Sequence, residues 1–452
     1  MPWSEVRPGH HQRPIGENER FIKAIGDRAH PSGREHWSIT SKALFKLTRP
    51  SKSVNLSTKL HRTWKKLRHA HPSIASTADE NTLNYIVPDI ETLEMWLKET
   101  FFIHEGNTSV DDMIANFRPS PYVTAHYFPE SSQLLLHSAH WRTDGFGALQ
   151  LLDAFFNAFT TLPDQDPANL PWGQEVERLV PSIEEVLRLP YTATPEIHAA
   201  ANRYISSLAH TKGAIGVFHR KEKTTLPGGT RSARLRLSQR TTTAILETCA
   251  THSISALSAV HASLAETTYA SAPPDMKGKH YTSTMRFGLR PYLPEPYGTA
   301  QFASALYTGG YMFKVPASQS WLENAKQFNE EYQGGVTEEF LQARRQYALN
   351  VQALMQKNVP ADGPPPSEID ISSVDDTELL VHPVQGCGDG ALEVLEVSIG
   401  VETLTRQMYC FVWTFCNQME FNLVYNEAFY DQTFAVGILE KLKEVLEIRL
   451  DI

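Results

Sequence analysis

The sequence has few cysteines, no excess of basic residues and no long apolar run, and each shortage argues against a class of protein. Its four cysteines form no CxxC pair and are too few for a disulfide framework, which favours a reducing compartment. The formal net charge of -9 argues against a nucleic-acid partner, because phosphate binding needs clustered Lys and Arg. No stretch approaches the roughly 18 apolar residues of a membrane helix, and the first residues lack the apolar core of a signal peptide. We therefore expect a cytoplasmic protein without membrane contact.

Length and composition indicate a globular chain of two halves. The 452 residues exceed what one hydrophobic core usually serves, and 41% hydrophobic and 21% charged residues are ordinary values. The Pro-rich loop TTLPDQDPANLPWG ends a first half, and the alternating stretch TRSARLRLS opens a second half with a similar order of elements. We predict an α+β chain with an N-terminal half at 1–173, a crossover segment at 174–226 and a C-terminal half at 227–452.

One stretch in the first half concentrates chemically useful residues. In HSAHWRTDGFGALQLLD, residues 137–153, an apolar strand-like run precedes a strongly helical segment, and His140, Asp144 and Gly145 form the pattern HxxxDG between them. A strand that delivers His140 to an interior channel would supply a neutral imidazole able to take a proton from an alcohol or an amine. Alternatively, Asp144 only caps the helix that begins at Gly145, and His140 is a buried core histidine. Capping by Asp144 and catalysis by His140 are compatible, because an aspartate that fixes the turn also fixes the histidine beside it.

The HxxxDG pattern, on a strand end before an apolar helix and about a third of the way along the chain, supports a family resemblance. It resembles the acyltransferase superfamily that contains chloramphenicol acetyltransferase, the BAHD plant acyltransferases and condensation domains. More narrowly, the chain is similar to fungal acetyltransferases of the trichothecene 15-O-acetyltransferase group. The similarity extends to RPIGENERF, TWKKLRHAHP, PWGQEVERLVPSIEEVLRLP and RFGLRPYLP, so it spans nearly the whole chain.

The resemblance implies two pseudo-symmetric chloramphenicol-acetyltransferase-like domains with a channel between them. Acyl-CoA, most often acetyl-CoA, would enter one mouth of the channel, and a small hydroxylated acceptor would enter the other. His140 would be the general base for direct attack of the acceptor hydroxyl on the thioester. Asp144 would point away from the substrates into an ion pair with an arginine, for which Arg290 in RFGLRPYLP is the candidate. The implied protein is a monomeric O-acyltransferase that uses no metal and acts on an apolar fungal secondary metabolite such as a terpenoid.

Departures from the family patterns narrow this expectation. Condensation domains usually carry HHxxxDG, whereas Ala139 occupies the first of these histidine positions, which favours a CoA thioester over a carrier-protein thioester as donor. The DFGWG signature of the plant branch is absent. Two alternatives stay open. One is an amide-forming or ester-forming condensation enzyme that uses a carrier-protein thioester, and the other is a cyclase or a binding protein that has lost acyl transfer.

Five further residues are candidates for lining the channel or for stabilising an oxyanion. Trp141, Thr143 and Gly145 flank the predicted base, although aromatic packing explains Trp141 equally well. Ser372 and Ser373, in ISSVDDTEL, are candidates for an oxyanion hydrogen bond, although serines in loops mostly satisfy nearby backbone groups.

Other motifs have less specific explanations. DGFGALQ imitates a dinucleotide fingerprint, but Gln150 stands in place of the third glycine. His69 and His71 have the spacing of metal ligands, but no third ligand follows at a convincing distance, so we expect no metal. Strand alternation puts His137 on the face opposite to His140, which favours a core position for it.

Overall fold

The computed structural model describes residues 2–48, 55–106, 108–161, 166–219, 225–357, 365–387 and 390–452. The strands are β1 (Ser4–Arg7), β2 (His10–Pro14), β3 (Ile39–Leu47), β4 (Thr77–Asp79), β5 (Thr82–Ile86), β6 (Phe101–Ile103), β7 (Thr124–Phe128), β8 (Gln133–Ser138), β9 (Thr230–Arg236), β10 (Tyr281–Gly288), β11 (Thr308–Val315), β12 (Ile369–Asp376), β13 (Val384–Gln385), β14 (Leu392–Val401), β15 (Met408–Phe415) and β16 (Gln418–Asn426). The α-helices are α1 (Glu17–Asp27), α2 (Leu56–Ala70), α3 (Ile90–Thr100), α4 (Val110–Ala115), α5 (Gly145–Thr160), α6 (Ile183–Val186), α7 (Pro195–Ser206), α8 (Gln239–Thr251), α9 (Ala256–Ser271), α10 (Trp321–Gly334), α11 (Glu338–Gln342), α12 (Arg344–Gln356) and α13 (Gln432–Leu450).

The two halves contain the same four-stranded arrangement. In the first half the order is β3-β8-β7-β6, in which β8 pairs antiparallel with β3 and β7, and β7 pairs parallel with β6. In the second half the order is β9-β16-β15-β12, with the same sequence of antiparallel, antiparallel and parallel pairings. A long helix follows each hairpin, α5 after β8 and α13 after β16. The pairing pattern therefore gives the pseudo-symmetry a structural basis.

The first sheet also takes strands from the far end of the chain. β14 pairs antiparallel with β3, from Leu392 opposite Leu47 to Val401 opposite Ile39, and β13 adds the outer edge. The sheet thus has six strands in the order β13-β14-β3-β8-β7-β6. The boundaries at 173 and 227 remain a prediction, and the strand pairing adds that part of 227–452 lies in the sheet of the first half.

Two large apolar clusters fill the halves, one around each sheet. In the cluster of the first half, Trp64 of α2 is fully buried and stacks on Trp96 of α3 with ring centroids 5.5 Å apart.

A separate two-stranded ribbon, β10 with β11, lies in the second half, and the segment 289–307 between its strands reaches the HxxxDG turn. Over the described residues, no helix combines the length and apolar character needed to cross a bilayer.

Candidate active site

His140 lies in a tight turn between β8 and α5. β8 ends at Ser138, a single 3-10 turn spans His140–Arg142, and α5 begins at Gly145. The imidazole Nδ1 is 3.0 Å from the backbone carbonyl oxygen of Thr143. Because a carbonyl can only accept, Nδ1 carries the proton and donates, so in the neutral ring Nε2 keeps its lone pair. The turn therefore holds the imidazole in the tautomer that a general base requires.

The surroundings keep this imidazole neutral. Burial lowers the pKa of His140 below the ordinary value of 6.5, and the charge of Arg286 adds to this effect. The backbone carbonyls and the carboxylate of Asp144 oppose the shift without reversing it. At neutral pH the histidine is therefore present mainly as the free base.

Two cavities share part of their walls, and His140 lines one of them. The first, which we call the histidine chamber, has an empty volume of about 1020 Å³ including its open mouth, and its wall contains His140, Trp37 and Tyr409. The second chamber, of about 1670 Å³ on the same measure, is lined in part by Phe146 of α5 and by Tyr332. Both chambers are lined by Arg286 and Ser372, and we call this shared part of their walls the junction.

Asp144 is turned away from the chambers and lies at the contact between the halves. Nη2 of Arg290 is 3.1 Å from both of its carboxylate oxygens. The carboxylate also accepts from the backbone N–H of Gly147 at 2.8 Å, as the cap of α5, and from the backbone N–H of Tyr307 at 2.9 Å. Both charged side chains are nearly inaccessible to solvent. The structure thus brings the predicted ion-pair partners together, 146 positions apart in sequence, and gives Asp144 the capping role as well.

The three candidate residues that flank His140 in sequence contact different parts of the structure. Thr143 directs its hydroxyl to the carbonyl oxygen of Ala303 at 2.9 Å, so its side chain joins the two halves while its own carbonyl holds His140. Trp141 packs in a small apolar cluster with Ile15 and lies outside the walls of both chambers, so the packing explanation fits it. Gly145 is likewise absent from both chamber walls, and α5 begins there.

Gly147 permits the close contact between α5 and the second half. A Cβ atom at this position would lie 2.0 Å from the carbonyl oxygen of Ala303 and 2.8 Å from Nη2 of Arg290. Both distances are far shorter than a van der Waals contact. A side chain here would therefore push the helix start, and the turn that precedes it, away from Arg290.

We expect Gly147→Ala to lower the free energy of unfolding by about 1–3 kcal/mol, the usual range for overpacking a tight site. Gly437→Ala in α13 is the matched control, because a Cβ there meets nothing within 4 Å and alanine favours a helix. Urea unfolding followed by circular dichroism would compare the two variants. Equal stability of both variants would contradict the close contact.

The two predicted serines differ in what they contact. Ser373 is engaged locally, since its hydroxyl is 3.1 Å from a carboxylate oxygen of Asp375 and also accepts from the backbone N–H of that residue. Ser372 lines both chambers, and among the described residues none is hydrogen-bonded to its hydroxyl. Ser372 is therefore the better placed of the two to contact a ligand.

Sequence reasoning missed Arg286 and its partner Asp370. The guanidinium donates to Asp370 at 2.6 Å and to the carbonyl oxygen of Ile371 at 2.7 Å. Although burial alone would raise the pKa of Asp370, the charge of Arg286 holds it below its ordinary value. The only signal in the sequence is an arginine in the strand YTSTMRFG, and nothing nearby identifies a partner 84 positions further on.

The possible metal ligands that the structure brings together lie outside both chambers. Within the described part of the chain, one group of possible ligands, Asp27, His30 and Glu35, has ligand atoms within 4.8 Å of one another. None of the three lines either chamber. The expectation that the reaction uses no metal stays a prediction.

Sequence relatives define the class of protein as an acetyltransferase. No family model matches the chain. It is 60% identical over 453 residues to the acetyltransferase pigO of Monascus ruber, covering all of this chain and 99% of that protein. It is 30% identical to the O-acetyltransferase pigM of the same fungus, covering all of this chain and 88% of that protein. The chain belongs to the family of these fungal acetyltransferases.

A solved structure agrees on the fold. The trichothecene 15-O-acetyltransferase of Fusarium sporotrichioides superimposes with a TM-score of 0.81 at 16% sequence identity, over 98% of this chain and 97% of that one. The predicted α+β class and the predicted resemblance are thereby confirmed.

Proposed function

We propose that this chain is an acyl-CoA-dependent O-acyltransferase that transfers an acetyl group to a hydroxyl of an apolar fungal secondary metabolite. The observation that carries the proposal is His140, whose Nδ1 is fixed on the Thr143 carbonyl and whose ring lies in the wall of a chamber that shares part of its wall with a second one. Direct transfer requires one base and two substrates held together, and it requires no protein nucleophile.

The proposed reaction moves one proton and exchanges one bond. His140 Nε2 takes the proton of the acceptor hydroxyl while the oxygen attacks the thioester carbonyl carbon. The carbonyl oxygen becomes a tetrahedral oxyanion, which collapses as the carbon–sulfur bond breaks. The imidazolium then returns the proton to the departing sulfur, so that the products are an acetyl ester and free CoA.

Arg286 and Ser372 are the proposed donors to the oxyanion. The Arg286 guanidinium donates to the Asp370 carboxylate and to the carbonyl oxygens of Ile371 and Thr284. These contacts engage three of its five N–H groups and leave two for a ligand. Ser372, like Arg286, lies at the junction of the chambers. Donors fixed before the reaction stabilise a developing charge without reorganisation, which is why such groups are effective.

The two chambers suit different substrates. The histidine chamber has a largely aromatic and apolar wall, which matches an apolar acceptor. The second chamber is larger and carries more polar side chains, among them Gln150 and Asn329, which matches the amide-containing arm of CoA. A monomeric state and a cytoplasmic location stay part of the proposal.

The test is a thiol-release assay with acetyl-CoA and a panel of hydroxylated terpenoids and polyketides, with mass spectrometry of the products. The proposal requires acceptor-dependent release of free CoA together with one acetylated product. Transfer from an acetylated carrier protein, with none from acetyl-CoA, would favour the condensation alternative. Conversion of the acceptor without thiol release would favour the cyclase alternative.

The pH profile gives a second check. A general base acts in its deprotonated form, and burial lowers the pKa of His140. We therefore expect kcat/KM to be flat near neutral pH and to fall on the acid side through a pKa below 6.5. A fall centred at or above 6.5 would show that another group, or a more hydrated histidine, controls the rate.

A further inference from the structure

A buried cation without a carboxylate partner lies in the wall of the histidine chamber. Arg344, the first residue of α12, is 3% exposed. Its Nη2 donates to the side-chain oxygen of Asn18 at 2.7 Å, and its Nε has no hydrogen-bond partner. Among the described residues, no Asp or Glu lies within ion-pair distance of it. The guanidinium is flanked by the rings of Phe340 and Tyr347, with centroids 5.3 and 4.8 Å away.

The chamber as a whole has an unbalanced charge. Among the residues that the structure describes, Arg286 and Arg344 are the two arginines in its wall, and no Asp or Glu lines it. The charge of Arg286 is neutralised by Asp370, which contacts it from outside the wall. The charge of Arg344 has no such counterpart, although burial lowers the pKa of its guanidinium. An uncompensated buried charge is expensive, and arginine stays protonated in proteins.

The nearest acidic side chain is directed elsewhere. A carboxylate oxygen of Glu184 accepts from the backbone N–H of Asn18 at 2.6 Å, so Asn18 separates it from the guanidinium. Burial also raises the pKa of Glu184, which weakens it as a counter-ion. The protein thus leaves a desolvated cation without a counter-ion at the wall of a largely aromatic and apolar binding space.

We propose that the acceptor carries an anionic oxygen, a carboxylate or the enolate of a vinylogous acid, which pairs with Arg344 while the apolar body packs on the aromatic wall. This rests on the proposed function, because it assigns the histidine chamber to the acceptor. The hydroxyl to be acetylated then lies on the part of the molecule that reaches His140. A single guanidinium beside two rings suits one singly charged, planar oxygen group better than a diphosphate, which needs several donors.

The test measures binding, without turnover, of two aromatic probes that differ in charge. The probes are 1-anilinonaphthalene-8-sulfonate and its neutral counterpart N-phenyl-1-naphthylamine, titrated by fluorescence. We expect the wild type to bind the anion more tightly, and Arg344→Met to lose about tenfold or more of that preference while binding the neutral probe as before. Arg345→Met is the matched control, because the neighbouring Arg345 pairs with Glu17 and lies outside the chamber wall. Thermal melts verify that each variant is folded.

Several outcomes overturn the inference. One is equal affinity of the wild type for both probes, and another is an anion preference that survives in Arg344→Met. If Arg344→Met does not fold, the neutral Arg344→Gln replaces it, and an anion preference that survives in the Gln variant overturns the inference in the same way. Displacement of the anionic probe by CoA in the wild type, but not in the variant, would assign the cation to the donor's phosphates and exclude the acceptor. Because no step involves transfer, a failure here leaves the thiol-release result unaffected, and the reverse is also true.

Discussion

Replacement of His140 by alanine is expected to lower kcat about 10²- to 10⁴-fold, the range typical for loss of a general base. Within the described ranges, the side chain is the only imidazole in the wall of the histidine chamber, and its hydrogen bond to the Thr143 carbonyl fixes Nε2 as the acceptor. KM for acetyl-CoA should change little, because the base contacts the acceptor hydroxyl rather than the body of CoA. Initial rates of acceptor-dependent thiol release measure both constants.

Two controls separate chemistry from folding in this experiment. His198→Ala, on the exposed side of α7, removes an imidazole far from the chambers and should leave kcat unchanged. Added imidazole should restore part of the activity of His140→Ala, since a small base can occupy the vacated space. Normal acetyl transfer by a folded His140→Ala variant would end the proposed mechanism.

The Asp144–Arg290 pair is expected to give the second large effect, on stability. Asp144→Asn should lower the free energy of unfolding by about 3–5 kcal/mol, because it leaves the charge of Arg290 buried without a counter-ion, with backbone carbonyl oxygens as its remaining contacts. Asparagine is as good a helix cap as aspartate, so the backbone N–H of Gly147 keeps its acceptor. The change therefore tests the charge rather than the cap. Equilibrium unfolding in urea supplies the measurement.

The matched control removes the acid from an exposed pair. Glu393 is 2.8 Å from Lys46, and both side chains are well exposed, so Glu393→Gln should cost about 1 kcal/mol or less. Adding Arg290→Met to Asp144→Asn should recover stability, since it removes the orphaned charge. A folded Asp144→Asn variant with unchanged urea midpoint would show that the ion pair does not hold the two halves together.

The sequence predicted the parts of the site that depend on local patterns. An apolar strand, a histidine, a capping aspartate and a helix follow one another within the stretch 133–160, and local hydrogen bonds determine their geometry. The pairing of Asp144 with Arg290 came from the family resemblance, because no local rule links residues 146 positions apart.

The remaining parts depend on tertiary contacts that a single sequence does not encode in any readable pattern. Arg286 and Asp370 are on separate strands and are distinctive only once those strands lie side by side. Arg344 opens a helix of ordinary composition, and its lack of a counter-ion follows from what packs around it. Trp141 shows that proximity in sequence is also insufficient. It follows His140 directly, but its ring packs in a separate apolar cluster.

Because β14 of the second half joins the sheet of the first half, one edge of β3 stays unpaired during most of synthesis. Leu392 pairs with Leu47 but follows it by 345 positions, so β3 has an unpaired edge while all of the intervening chain is translated. At ordinary elongation rates that interval is roughly 20–70 s. An open strand edge of this kind invites pairing with other chains, and lysines on the strand oppose it. Lys42 and Lys46 lie on β3, where their charges oppose such pairing until β14 covers the edge, and in the folded protein they pair with Asp111 and Glu393.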